Sequence, residues 1–393
     1  MMIDTFHGIA KGPVLAGLMA GMLMLTGCSA ASEWDSTDSE PRISSETVGE
    51  KVPGDRELTQ DDENESNLNT DDPAVLEKTD NDHGYDAVDP ASVNANELGQ
   101  IMVLMYHHIR EPEAEWSRTP DNFRRDLEVL YEEGFRPIRL IDYARGDIQV
   151  SAGMTPVVIT FDDGNNNNFN MIQDSSGEWT IDPDSAVGIM MNFHEKNPDF
   201  KPHATFFING GTPFGQADWV DYKLNFLVQN GMDIGNHTET HLHLGDASAE
   251  RLQQELARIQ MLVNRYVTDY TVNTFALPFG SRPKEEATAP YVISGTHEGV
   301  TYTNEAVLEV GWDPYHSPFH KNFNPHKIRR VRASETKVDG VGLYDWLATF
   351  ESGGRSRYIS DGNPGTVAIP SGWEEFLAED LENREIILYE PDS

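Results

Sequence analysis

The chain has 393 residues, with 66 acidic against 29 basic side chains and a formal net charge of −37. A surface this acidic speaks against nucleic acid as a partner, because phosphate contacts need clustered lysine and arginine. Cysteine occurs once, which excludes an intrachain disulfide and leaves stability to the core.

In chain order, Lys11 precedes an apolar stretch over 14–25, the length of a signal-peptide core and too short for a comfortable membrane span. It ends Leu25-Thr26-Gly27-Cys28, which resembles a bacterial lipobox. The resemblance implies a lipoprotein signal over 1–28, cleavage before Cys28, a lipid on its thiol and an extracytoplasmic, membrane-anchored protein. Residues 29–98 then hold 20 acids and four bases, a net of −16 with almost no aromatics. Such a stretch cannot bury enough apolar surface to offset the entropy of ordering, so 29–99 is expected to be a disordered acidic linker. The folded domain is expected over 100–393.

Within it, 101–106 reads as a strand. Thr119-Pro120 has the form of an N-cap followed by proline at the first helical position. Phe123, Leu127, Leu130 and Tyr131 continue at helical spacing until Gly134. Further strands are expected at 135–138, 157–161, 204–208, 232–235, 274–277, 299–303 and 306–310. Helices are expected at 186–194, 220–230 and 247–267, the last with Leu252, Leu256, Ile259 and Val263 on one face. The run after Gly340 is too irregular to assign. Strands alternating with helices over this length predict an α/β fold, a (β/α) barrel with its chemistry at the strand C-termini.

Two motifs fall at such ends. Val157 to Phe161 is β-branched and apolar, and delivers Asp162 and Asp163. His237-Thr238-Glu239-Thr240-His241 follows the 232–235 strand, and its i, i+4 histidines are expected on one side of a helical turn, a spacing that suits a divalent metal. A lone Asp-Asp-Gly is more often a solvated turn, and a lone His pair more often a surface pair. Together, each at a strand end, they outline a shared metal-assisted hydrolase site.

Thr160-Phe161-Asp162-Asp163-Gly164, Ala204-Thr205-Phe206-Phe207-Ile208, the His237–His241 motif and Leu277-Pro278-Phe279-Gly280 resemble, in order, the motifs of the polysaccharide deacetylase family (carbohydrate esterase family 4, NodB-type domain). Val103-Leu104-Met105-Tyr106-His107-His108 resembles the branch acting on poly-N-acetylglucosamine. The resemblance covers about 101–333. It implies a distorted NodB-type barrel, a polysaccharide substrate, and deacetylation with a divalent ion, Zn²⁺ foremost and Co²⁺, Ni²⁺ or Mn²⁺ as alternatives. It assigns Asp163, His237 and His241 as metal ligands, Asp162 as general base and His107 as general acid. The backbone N–H of Phe279, beside Gly280, becomes the oxyanion donor.

Strand alternation turns His107 and His108 to opposite faces, and the family's register favours His107. His243 is a further candidate ligand whose spacing matches nothing in the family. Trp312 offers either an aromatic platform for a sugar ring or core packing. One departure stands out: many members carry an arginine that pairs with the base aspartate, where this chain has Ala276. Arg330 could substitute, or its basic cluster could be a solvated strand edge. A non-catalytic carbohydrate-binding surface lipoprotein and an O-acetyl esterase on glycans are the competing readings.

Overall fold

The computed structural model describes residues 88–391; the expected signal segment, Cys28 and most of the linker lie outside them. Eight parallel strands form one curled sheet: β1 (Met102–Tyr106), β2 (Phe135–Pro137), β3 (Thr155–Phe161), β4 (Thr205–Ile208), β5 (Asp233–Asn236), β6 (Thr274–Ala276), β7 (Ala306–Leu308) and β8 (Val331–Arg332). Their order is β7-β6-β5-β4-β3-β1-β8, with β2 paired to the N-terminal half of β3. Helices α1 (Pro120–Glu132), α2 (Leu140–Arg145), α3 (Ala186–Lys196), α4 (Val220–Gln229), α5 (Ala249–Val263) and α6 (Leu343–Glu351) complete the domain. Parallel neighbours need crossovers, and α1, α3, α4 and α5 lie between strands of the sheet.

The curl comes from one extended run. Ile328 donates its N–H to Val307 and accepts from Glu309 beside β7, while Val331 pairs with Leu104 of β1. Residues 328–332 thus bridge the two edges of the sheet. Alternation then divides the strand residues between two cores. Val103, Val158, Phe207, Ala276, Leu308 and Ile328 fill the inside of the curl. Leu104, Ile159, Phe206, Ile234 and Val331 face outward, most of them onto the helices. Both faces are covered, which is why these strands read as continuous apolar runs. At Gly235 a Cβ would stand 2.3 Å from Cδ1 of Phe207, so only glycine lets that ring fill the interior.

The expected Thr119 cap forms, and Ser185 and Ser248, not among the expected caps, act in the same way. Thr119 accepts from the Asn122 N–H at 3.1 Å, Ser185 from Gly188 at 3.2 Å and Ser248 from Arg251 at 3.2 Å. Leu252, Leu256, Ile259 and Val263 are all buried on α5. Other expectations need correction. Val300–Thr303 lies outside the main sheet, in an antiparallel hairpin with Ser294–His297. The run after Gly340 is ordered, with α6 and a parallel pair, Thr366–Pro370 against Glu385–Tyr389.

The linker expected to reach residue 99 stops short, since 88–99 is folded. Ala95 and Leu98 are buried, Asn96 exchanges backbone hydrogen bonds with Ile359, and Glu97 is enclosed. The Glu97 carboxyl accepts from the Tyr358 hydroxyl at 2.9 Å, the Ser360 hydroxyl at 3.2 Å and the Ala368 N–H at 3.0 Å. Burial, and then the Asp361 charge, push it up to about 8. Its partners lie some 260 positions away, so local composition cannot reveal this anchorage.

Candidate active site

The inward face of β3 carries Val158, Thr160 and, just past its end, Asp162. Register does the rest. Tyr106 pairs with Phe161, so the next residues, His107 and Asp162, stand side by side, and the Asp162 N–H donates to the Tyr106 carbonyl at 3.0 Å. On the far side Ile208 pairs with Asn236, which brings His237 to the same rim. His107 Nε2 lies 3.9 Å and His237 Nε2 4.0 Å from Asp162 Oδ2.

Asp162 is buried and held by Arg330, whose Nη1 and Nη2 donate to its two carboxylate oxygens at 2.7 and 2.8 Å. Arg330 occupies the inward phase of 328–332, two residues after Ile328, and is itself fully buried. Its Nε donates to the Glu309 carbonyl at 3.1 Å, and its guanidinium lies 5.9 Å from the Phe207 ring centroid. The solvated-edge alternative for Arg330 is thereby overturned: it takes the place of the arginine missing at Ala276. Burial alone would raise Asp162; the Arg330 charge above all, then His237 and His107, outweigh it and hold the carboxyl below the usual carboxylate range.

Asp163 turns away from Asp162 at φ 75°. Its Oδ1 lies 3.5 Å from Nε2 of both His237 and His241, and one donor atom from each of the three lies within 4.8 Å of the others. His237 Nδ1 is 2.8 Å from the Ala276 carbonyl. A carbonyl only accepts, so Nδ1 carries the proton and Nε2 presents its lone pair toward Asp163. Two imidazole nitrogens and a carboxylate oxygen converging this way fit a divalent ion of the zinc type. Burial pushes His107 and His237 down from the ordinary histidine value, against the Asp162 and Asp163 charges.

The histidine pair is not on a helical turn. Thr238 and His241 adopt φ of 62° and 53°, which no α-helix admits, and the segment is a tight loop. Side chains fix it instead. Asn209 Nδ2 donates to the His237 and Thr238 carbonyls at 2.7 and 3.0 Å, and the buried Glu255 of α5 accepts from the Thr240 N–H and hydroxyl, both at 2.8 Å. The Leu242 N–H donates to the Thr238 hydroxyl at 2.8 Å. Phe279 is a further residue of positive φ, 57°, so left-handed backbone at non-glycine positions recurs around the site.

Phe279 is 65 % exposed and packs edge-on against His241 at 4.5 Å between centroids. Gly280, at φ 63°, presses on Val310, where a Cβ would approach the valine Cβ to 3.2 Å. His243 lies outside the three-donor group and bonds locally to the Gly245 N–H. His108 faces away, with Nδ1 3.2 Å from Nδ2 of Asn167. Trp312 is exposed rather than core, and lines a cavity of about 180 Å³ with Trp116, Val310, Arg332, Val338 and Val341.

Three contributors escape sequence reasoning. Trp116 packs against His107 at 4.7 Å with the rings tilted by 54°, and Arg332 lies over its ring at 5.0 Å; an exposed tryptophan in the polar loop after a barrel strand is the available signal. Asn168 Nδ2 donates to the His107 carbonyl at 2.6 Å, and Asn165 reaches the Asp162 carbonyl at 3.3 Å. These asparagines look like turn formers in the sequence.

Fold and site together give a curled parallel sheet whose rim carries three converging donors able to hold a divalent ion, beside a separately held carboxylate. Residues 198–289 match the family model described as polysaccharide deacetylase. Over that stretch the chain is similar to a family whose members hydrolyse amide bonds of acetylated polysaccharides, the same family that the motifs resemble. The matched stretch contains His237, His241 and Phe279; Asp162 and Asp163 precede it. Solved structures that resemble the chain include the Streptococcus pyogenes deacetylase PplD in complex with acetate. It is 18% identical with a TM-score of 0.47, over 64% of this chain and 98% of that one. A polysaccharide deacetylase from Bacillus cereus, BC0361, is 19% identical at a TM-score of 0.47, over 64% and 69%. IcaB from Ammonifex degensii is 18% identical at 0.42, over 63% and 97%. No curated protein sequence matches.

Proposed function

We propose that the protein is a divalent-metal-dependent deacetylase that removes acetyl groups from the N-acetylhexosamine units of a cell-surface or extracellular polysaccharide. The observation that carries this is Asp162: a carboxylate kept ionised by Arg330, next to the three metal donors yet not one of them, with an imidazole on its other side. A protein that only bound sugar would gain nothing from burying such a pair, whose desolvation is costly.

An amide carbonyl is a poor electrophile, and a divalent ion held by Asp163, His237 and His241 would polarise it and acidify the attacking water. Asp162 takes the proton as the water oxygen bonds to the acetyl carbon. Its two contacts to Arg330 fix its orientation and keep it from being protonated beforehand. His107, packed against Trp116, gives a proton to the glycan nitrogen as the C–N bond breaks, which yields acetate and a free amine, and the proton taken up by Asp162 is returned to His107 beside it. The Phe279 N–H is the proposed donor to the oxyanion; one such donor is typically worth ~10²–10³ in turnover.

Acetate release from N-acetylglucosamine oligomers, with Asp162→Asn alongside, tests this reading. Activity unaffected by that substitution would sink the mechanism. The non-catalytic alternative rested on Ala276, and Arg330 removes that support. Rates on O-acetylated glycans against N-acetylated ones separate the esterase reading. For location, a lipid on Cys28 outside the cytoplasm is the proposal; among the described residues no helix is long and apolar enough to cross a membrane. Detergent-phase partitioning of wild type against Cys28→Ala tests it.

A further inference from the structure

The run between β3 and α3 holds a second surface. Residues 165–184 contain Asp174, Glu178, Asp182 and Asp184, and no lysine or arginine. They fold into an antiparallel hairpin, Met171–Gln173 against Trp179–Ile181. Gln216 holds it from the loop after β4, accepting from the Met171 N–H at 2.9 Å and donating to the Met171 carbonyl at 2.7 Å. The buried Lys223 of α4 locks that clamp, donating to Gln216 Oε1 and to the Phe214 carbonyl, both at 2.8 Å. The result is a rigid row of rings. Trp179 lies 5.2 Å from Trp219, and Trp219 5.7 Å from Tyr222, which Phe226 backs at 5.8 Å. Trp179 and Tyr222 are 48 % and 43 % exposed.

Two exposed rings flanking the half-buried Trp219, on a support fixed by hydrogen bonds, mark a binding surface. Their rim decides the occupant. Glu178, Asp218 and Asp221, the sequence neighbours of Trp179, Trp219 and Tyr222, are all exposed. Lys223 has its ammonium turned inward onto the Phe214 carbonyl and Gln216, and Arg124, which reaches the end of the hairpin segment, is taken up by Asp184 and Asp121. Flat rings stack on the C–H faces of pyranoses and attract ammonium groups, and carboxylates around them add to that attraction. An uncharged acetylated glycan would gain from the rings alone. A glycan bearing free amines gains from both, and such amines are what deacetylation produces. The hairpin and the α4 loop rise from the C-terminal ends of β3 and β4, the same end that carries Asp162 and Asp163. We propose that Trp179, Trp219 and Tyr222 form a second glycan site, separate from the catalytic centre, which binds the deacetylated, amine-bearing product strand; the choice of occupant rests on the deacetylase reading above.

The test is binding of a glucosamine hexamer to the full chain, by calorimetry, with its N-acetylated counterpart in parallel. The amine form is expected to bind at least tenfold tighter than the acetylated form at low salt, and to lose that advantage as salt rises. Trp179→Ala and Tyr222→Ala should each weaken it at least tenfold, while Trp179→Phe retains most of it and controls for hairpin folding. Asp218→Asn with Asp221→Asn should weaken the amine form selectively. Asp162→Asn should leave binding within twofold. Equal binding by wild type and Tyr222→Ala, or loss of binding in Asp162→Asn, would overturn the second site. The amine hexamer carries no acetyl group and the N-acetylated one is compared in Asp162→Asn, so binding is read without turnover; failure of wild type to release acetate would sink the deacetylase reading and not this measurement.

Discussion

Replacing Arg330 by methionine isolates the contact on which the site depends. Methionine keeps much of the apolar stem but leaves the Asp162 carboxylate buried without its two charge-assisted hydrogen bonds at 2.7 and 2.8 Å. Removing one partner of a buried ion pair costs ~3–5 kcal/mol, because the other charge stays desolvated. The sign with pH follows. In the wild type Asp162 is held below its unfolded value, so its contribution is present above the ordinary carboxylate range and is lost as pH falls through the depressed native value. In the variant burial acts unopposed by Arg330 and the carboxyl rises above its unfolded value. Its contribution is then full at low pH and is lost as pH increases. The stability difference should therefore be largest near neutrality and shrink toward about pH 4. Urea unfolding in the presence of chelator, from pH 4 to 8, measures it without interference from bound metal. In parallel, the acid limb of the acetate-release profile should move to higher pH. Arg330→Lys should restore the charge but not the two-point grip, and fall between the two. A pH-independent loss below ~1 kcal/mol, with the acid limb in place, would refute the assignment of Arg330 as the keeper of Asp162.

Asp162→Asn should lower acetate release by ~10²–10⁴ with metal content unchanged, whereas His241→Ala should lower the metal content itself, read by elemental analysis. Glu97→Gln tests the distal anchorage. With a native value of about 8 against 4.5 unfolded, Glu97 stabilises fully below about pH 4.5, and that contribution, at most ~5 kcal/mol, is lost as pH rises through 8. The amide should flatten this slope and make the variant the more stable protein at pH 8; parallel wild-type and variant curves would count against it. Trp116→Ala removes the ring packed against His107 and should cut turnover by roughly tenfold with little change in unfolding midpoint, since Trp116 lies at the surface and outside the buried core. Gly280→Ala should cost ~1–3 kcal/mol, from its φ of 63° and the approach to Val310, seen as a lower melting temperature.

Much of the fold was legible because its signals are local. Thr119-Pro120 caps a helix within three residues of itself, and buried parallel strands betray themselves as apolar runs. Asp162, Asp163 and His237 could be nominated for a similar reason: a strand places the residue after its last apolar position on the barrel rim. The HxxxH spacing misled, because i, i+4 fits a helical turn and equally fits a loop with Thr238 and His241 in left-handed backbone. What forces the loop is Asn209 and Glu255, neither of which the motif contains.

Chain order alone determined which residue types stand at which strand ends, and that is enough to nominate metal donors and a base, since periodicity and turn chemistry operate over a few neighbouring positions. Only the tertiary structure decided that Arg330 meets Asp162 across 168 positions, that Trp116 seats His107, and that 88–99 belongs to the folded domain through Glu97. Those contacts depend on how the curled sheet brings its edges together through 328–332, and no local pattern encodes the closing of a ring.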